Sequence, residues 1–549
     1  MKTKAIGLLF VLGGIFAPSV VSAAETDFLE CVKQEVCVLE SDVTIDEQIT
    51  LENDLVLDLN GHTITSTFQE AGKGNIGTSH TLTIKDSQGN GKFDASEAQG
   101  YAFYAYDGGT LILESGEIIS KYAPFSGNNT TGDMNFIING GTLTALEGAA
   151  IFMPGQGTLE INDGTLNGGI NIRMGQVTIN GGTIINNNQK NIDPIEDYYK
   201  FPGNVWLSDA IAVLGGTYTS ENSEYGNSLN MTINGGTFES KIGNALTIYA
   251  LGRVEQDLNL TINGGTFNGK EISVAIETPE TLELKGTESE IAEYSKVNND
   301  VKVVITDGSY SSNVESLVAD GYKVVENNGL YTVQPNLVIA TDDEDVTFES
   351  DEPISNDYKL VVEEEELANE EAVMESVNKQ INTALEEAKE ELLDSKLVAT
   401  YDISVKDSSD QVVKLANGNY AISIKVTEDQ VKGYNAFKVV YINDKGEVAE
   451  ILDAVLANGV ITFETTHLST YAIVGYNTVS LTEDDDEAIG DGTETPGESE
   501  EPTTPDTPAE ETPEVPQTFD SLTTYVVAGI VSIIAIAGAV LYIRKKQTN

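Results

Sequence analysis

"LNMTINGGTFES" (Leu229–Ser240) and "LNLTINGGTFNG" (Leu258–Gly269) are near copies whose starts lie 29 residues apart. Leu229, Met231 and Ile233 alternate with Asn230 and Thr232, the period of a strand with one buried face. Asn234-Gly235-Gly236 then turns the chain, because Gly accepts positive φ without cost and Asn tolerates it better than most residues. Thr237-Phe238 opens the next strand. Looser copies stand upstream: "FIINGGTLTA" from Phe136, "TLEINDGTLNG" from Thr158 and "VTINGGTIIN" from Val177.

Each copy has a second apolar strand: "AAIFM" from Ala149, "INIRM" from Ile170, "AIAVL" from Ala210, "ALTIY" from Ala245 and "VAIET" from Val274. The unit therefore recurs every ~20–35 residues, the range of solenoid coils. A propeller blade needs ~40 residues, and the framework of a leucine-rich repeat is missing. A parallel β-helix fits. Degenerate coils extend it backwards through "LILESGEI" from Leu111, "LTIKDSQG" from Leu82 and "LDLNGHTI" from Leu57, and forwards to "VVITDGSY" from Val303. Asn139, Asn162, Asn180, Asn234 and Asn263 fall at equivalent corners. Stacked coil on coil, they are expected to form a structural amide ladder that satisfies the turn backbone.

"LDLNGHTI", "LTIKDSQG" and "TINGGTF" resemble the right-handed parallel β-helix proteins of the pectate-lyase-like superfamily, specifically adhesin-like cell-surface proteins of Gram-positive bacteria. The expected architecture is mainly β. A signal peptide (1–23) and an N-terminal cap (24–56) precede the parallel β-helix (57–335). A β-sandwich-like α+β module with one helix follows (336–477), then a disordered Pro/Thr/Glu linker (478–520) and a transmembrane anchor with a basic tail (521–549).

The termini carry the localisation. Lys2 and Lys4 precede an apolar run that ends at a small-residue site, Val21-Ser22-Ala23, as in a secretory leader. Tyr525 to Ile543 is an uncharged, mostly apolar run followed by Arg544, Lys545 and Lys546, the pattern of a membrane span with its C-terminus inside. "EVPQTFDSL" before it resembles a sortase sorting signal: Pro516 and Thr518 match, Val515 stands for Leu, and Phe519 replaces the Gly after the cleaved bond. The resemblance implies sortase as a partner and attachment through Thr518, with retention in the membrane as the alternative. Either way the folded chain is expected outside the cell.

A formal charge of −58 repels nucleic acid and polyanions. Outside the tail, Arg173 and Arg253 are the only arginines, so bidentate recognition of phosphate or uronate is not expected. Cys31 and Cys37, alone in an oxidising compartment, are expected to pair. His62, His80 and His467 lack ligand spacing, the acidic runs lack the spacing of a calcium loop, and no metal or cofactor is expected.

In the following module, Leu367 to Leu393 places Val373, Val377, Ile381, Leu385 and Leu392-Leu393 at helical steps. "VVYINDKGEV" and "THLSTYAIVGY" resemble a β-sandwich module found before the anchor of such surface proteins.

The longest break in the repeat, Asn186 to Ser208, holds Tyr198, Tyr199, Phe201 and Trp206, the chain's one Trp. Long loops on rigid scaffolds carry function, and aromatic rings stack on sugars and on protein partners. These four are the candidate ligand contacts, and no catalytic residue is assigned. No Gly-His-Gly motif and no Arg with convergent acids marks an active site. The chain is expected to be an adhesin or binding protein for a glycan or surface-protein ligand. The rivals are an extracellular polysaccharide lyase or hydrolase and a structural surface spacer.

Overall fold

A computed structural model describes residues 21–23, 28–70, 73–127, 133–187, 208–215, 228–252, 254–281, 288, 292, 295–415 and 418–481. Tyr198, Tyr199, Phe201, Trp206, Pro516, Thr518 and the apolar run 525–543 lie outside them. Among the described residues no helix is long and apolar enough to cross a membrane.

Up to Pro335 the described residues wind through three long sheets, with one strand per coil in each until the last coil, which joins only the first two. From coil to coil the pairing in these sheets is parallel, as in Val177↔Met231 of the first sheet, Ile184↔Phe238 of the second and Val213↔Ile248 of the third, and Leu251–Gly252 makes a short antiparallel contact with Val297–Asn298 outside them. This is a mainly β, parallel solenoid, and it fits a β-helix. Like residues stack in register: Ile138, Ile161, Ile179, Ile233, Ile262 and Ile305 form one fully buried column. The second sheet stacks Phe238, Phe267 and Tyr310, with ring centroids 4.7 and 5.1 Å apart. Apolar side chains from all three sheets thus meet in one continuous core, where each coil buries what its neighbour would otherwise expose.

The corners explain the Gly-Gly pair. Gly141, Gly182, Gly236 and Gly265 have φ of 75°, 81°, 108° and 110°, where a side chain is strained. Their partners Gly140, Gly181, Gly235 and Gly264 serve a different need. A Cβ there would sit 2.7–2.9 Å from a backbone oxygen of the coil before. The preceding asparagines are not in the left-handed region, so the second glycine alone makes the turn.

Coils begin earlier than the sequence pattern suggested. Val36–Leu39, Val43–Ile45 and Ile49–Leu51 each join one sheet, so part of the segment assigned to a cap is itself the first coil. Phe28–Cys31 is a short helix before it, tied by the Cys31–Cys37 disulfide. Val21–Ala23, at the end of the segment expected from sequence to be a leader, pairs beside Cys37–Leu39. At the far end the hairpin Tyr322–Asn327/Leu330–Pro335 pairs antiparallel with Gly308–Tyr310 and ends the parallel stack.

Residues 338–480 form nine antiparallel strands in one hydrogen-bonded order that turns back at Val448–Ala457. The first half of that strand pairs with Ala436–Ile442 and the second half with Val460–Thr465. The two halves share one core, with Phe348, Ile422 and Phe463 from one and Ile403, Val439 and Ile473 from the other. The Tyr471 hydroxyl donates to the His467 carbonyl and meets Thr465 Oγ1 at 2.8 Å, closing the corner before the last strand. The helix Glu370–Ala388 lies on the outer face of one half, where Val373, Val377, Ile381 and Leu385 pack against Val440, Ala472 and Val474. It is shorter than its apolar pattern. Lys389, at φ 56°, ends it, and Leu392 and Leu393 belong to the strand Glu390–Lys406 with Leu393 exposed.

Candidate functional site

The first two sheets mostly alternate buried and half-exposed residues, as a sheet with one wet face should. The third does not. Ile211–Leu214 and Leu246–Tyr249 are buried along their whole length. Ile151, Ile170, Ile211 and Leu246 point into the core, so Phe152, Asn171, Ala212 and Thr247 form the outward row. Tyr104 and Ser126 continue that row towards the N-terminus.

Aromatic residues cluster at this N-terminal end. Tyr104 lies 6.2 Å from Tyr106 and 6.1 Å from Tyr101 between ring centroids, and Tyr101 lies 6.4 Å from Phe152. The Arg173 guanidinium sits 5.0 Å from the Phe152 centroid. Tyr101, Tyr104, Tyr106 and Phe152 are half-buried, whereas Arg173 is buried. Burial raises the Tyr101 phenol above its ordinary value, opposed by a hydrogen bond with Ser126 and by the Arg173 charge. The result is three rings along one strand, with Phe152 from two coils further on beside Tyr101 and the Arg173 cation against Phe152. Each ring presents part of its surface to solvent, which suits stacking on a flat apolar face.

Further along the same sheet lies a buried carboxyl. Asp209 Oδ2 accepts from the Tyr249 hydroxyl at 2.7 Å, and Oδ1 accepts from the Asn244 backbone N–H at 2.8 Å. Burial pushes its pKa up to about 6, with the nearby Glu277 charge adding to the rise; the bonds from Tyr249, Asn244 and Thr247 oppose it. Asp209 is 3% exposed and ties one coil to the next. Among the described residues no group of three His, Cys, Asp or Glu side chains is placed to hold a metal. His62 Nδ1 lies 3.6 Å from Asp42, and His467 packs its ring 4.1 Å from that of Tyr441. Neither faces an acid pair.

The five corner asparagines form a ladder. The Nδ2 of Asn162, Asn180, Asn234 and Asn263 donates to Oδ1 of the asparagine one coil before, at 2.8, 2.8, 2.9 and 3.0 Å. Asn139 Nδ2 donates to Glu114 at 2.9 Å, and Thr306 Oγ1 donates to Asn263 Oδ1 at 3.1 Å, so both ends are occupied. The side-chain amides satisfy one another rather than the turn backbone.

The place of Phe152 beside Tyr101, Tyr104 and Tyr106 was not legible in sequence, because only coil register brings it there. The one available signal was the Tyr-rich "YAFYAY" at Tyr101–Tyr106. In the antiparallel module a cleft of about 750 Å³ opens between Val338–Val346 and Tyr358–Val362, floored by Leu360 and Ile424. No family model, curated protein or solved structure matches the chain.

Proposed function

We propose that the chain is a surface-displayed binding protein, an adhesin whose right-handed parallel β-helix presents a glycan-binding face on a β-sandwich-like module and an anchored stalk. The observation that carries the reading is the row Tyr106, Tyr104, Tyr101 and Phe152, half-exposed on a rigid sheet. Rings spaced about 6 Å apart along one strand suit a saccharide chain lying along that strand. A long sheet-backed surface fits binding better than a cleft enzyme, since the buried acid, Asp209, is sealed from solvent. The leader, the sorting signal at Pro516 and Thr518, and the apolar run after it support display outside a Gram-positive cell. Tyr198, Tyr199, Phe201 and Trp206 remain proposed contacts of the same ligand.

Purified protein should retain glycans on a mixed glycan and matrix-protein array without releasing reducing sugar. The double substitution Tyr101→Ala/Tyr104→Ala should lower that retention at least tenfold with an unchanged melting profile. A Trp206→Ala/Tyr199→Ala protein reports separately on the loop. Full retention by both variants would remove the aromatic surfaces from the reading, and sugar release would make the chain an enzyme.

A further inference from the structure

Four of the five ladder residues are followed by glycine: Asn139-Gly140, Asn180-Gly181, Asn234-Gly235 and Asn263-Gly264. All four asparagines are exposed. Asn-Gly is the pair in which the next backbone nitrogen most easily attacks the side-chain amide, because glycine offers no side chain to hinder ring closure. We propose that these corners are sites of spontaneous deamidation, and that the ladder both slows the reaction and sets its order, beginning at Asn263.

The chemistry needs only water. The Gly264 nitrogen bonds to Asn263 Cγ, the Cγ–Nδ2 bond breaks, and ammonia leaves with the displaced proton. Water then opens the succinimide to aspartate or isoaspartate. For the ring to form, Cγ must swing towards the backbone, and in the folded chain it is held on both sides. Asn234, for example, donates to Asn180 and accepts from Asn263 at once. Reaction therefore waits on local opening of the ladder.

The two ends are not equivalent. Asn139 donates to the Glu114 carboxylate, a charge-assisted bond, and the adjacent negative charge opposes ionisation of the attacking nitrogen. Asn263 is closed only by the Thr306 hydroxyl, at 3.1 Å. Opening is easiest there.

The donor direction makes the reaction propagate. Every rung donates towards the N-terminus. Once Asn263 becomes an acid it has no N–H for Asn234 Oδ1, and two acceptors face each other. Asn234 is then the exposed end, and Asn180 follows it. Asn162 precedes Asp163 rather than glycine, so the sequence of events stops there. At the other end, an acid at position 139 would still accept from Asn162, so no unzipping starts from it. Isoaspartate also lengthens the backbone at a corner where Gly264 already lies too close to the Asn234 carbonyl for a Cβ.

Peptide mapping with isoaspartate detection on the full folded protein, held for weeks at mildly alkaline pH, tests this. The expected order is Asn263, then Asn234, then Asn180, with Asn139 intact and every site at least tenfold slower than in the urea-unfolded chain. Thr306→Val should accelerate Asn263 severalfold and leave Asn139 unchanged. Equal rates at all four sites, Asn139 reacting first, folded rates equal to unfolded ones, or no acceleration in the Thr306→Val protein would each overturn the proposal.

Discussion

Replacing Asp209 by Asn should make the solenoid less sensitive to pH, and the size of the effect follows from burial. The carboxyl is 3% exposed and its pKa is pushed from 3.8 up to about 6. The folded chain thus holds this proton more tightly than the unfolded chain does. Stability from the group is fully present below about pH 3.8 and gone once pH has risen through about 6. A shift of about 2 units corresponds to ~3 kcal/mol over the whole window, about half of it between pH 5 and pH 8. Asn keeps the acceptor for the Asn244 N–H, and its Nδ2 can donate to the Tyr249 oxygen, whose hydroxyl rotates to receive it. Urea unfolding followed by circular dichroism at several pH values should show Asp209→Asn gaining ~1.5 kcal/mol on the parent between about pH 5 and pH 8. Amide exchange at Asn244 and Thr247 reads the same difference locally. Parallel stability curves for the two proteins would refute the assignment of a buried, proton-holding carboxyl.

Two further substitutions probe the repeat itself. Ile262→Ala removes a fully buried side chain stacked between Ile233 and Ile305, and should cost roughly 2–5 kcal/mol as a cavity, read from the urea midpoint. Gly235→Ala puts a methyl 2.9 Å from the Asn180 carbonyl oxygen, so the corner must shift; a loss of about 1–3 kcal/mol is expected in the same assay, and an unchanged midpoint would show that the coils are spaced more loosely than described.

How far the sequence could be read depended on which face of each strand was wet. "LNMTI" and "LNLTI" alternate because their outer residues meet water, and they were recognisable as strands at once. "IAVL" of the third sheet is buried on both faces and carries no period, so its place came only from recurrence beside the corners. The first coil was missed because its strands hold three or four residues each and lack the Asn-Gly-Gly corner. Leu392 and Leu393 continued a helical spacing by accident, past a stop made by a lysine rather than a glycine. For Asp209, the sequence offers an acid beside an insertion and nothing that signals its burial.

The nesting of each Gly-Gly corner against the coil before it also makes the solenoid a ruler. Leu229–Ile233 and Leu258–Ile262 pair residue for residue. A chain lacking Leu229–Asp257 would meet the same corner, the same amide and the same isoleucine at the splice. Such a protein would be shorter by one strand spacing, about 4.8 Å, with its downstream module turned and set back by a fixed step. The length of the solenoid could then be adjusted by whole coils through unequal recombination between near-identical repeats, without redesigning the core.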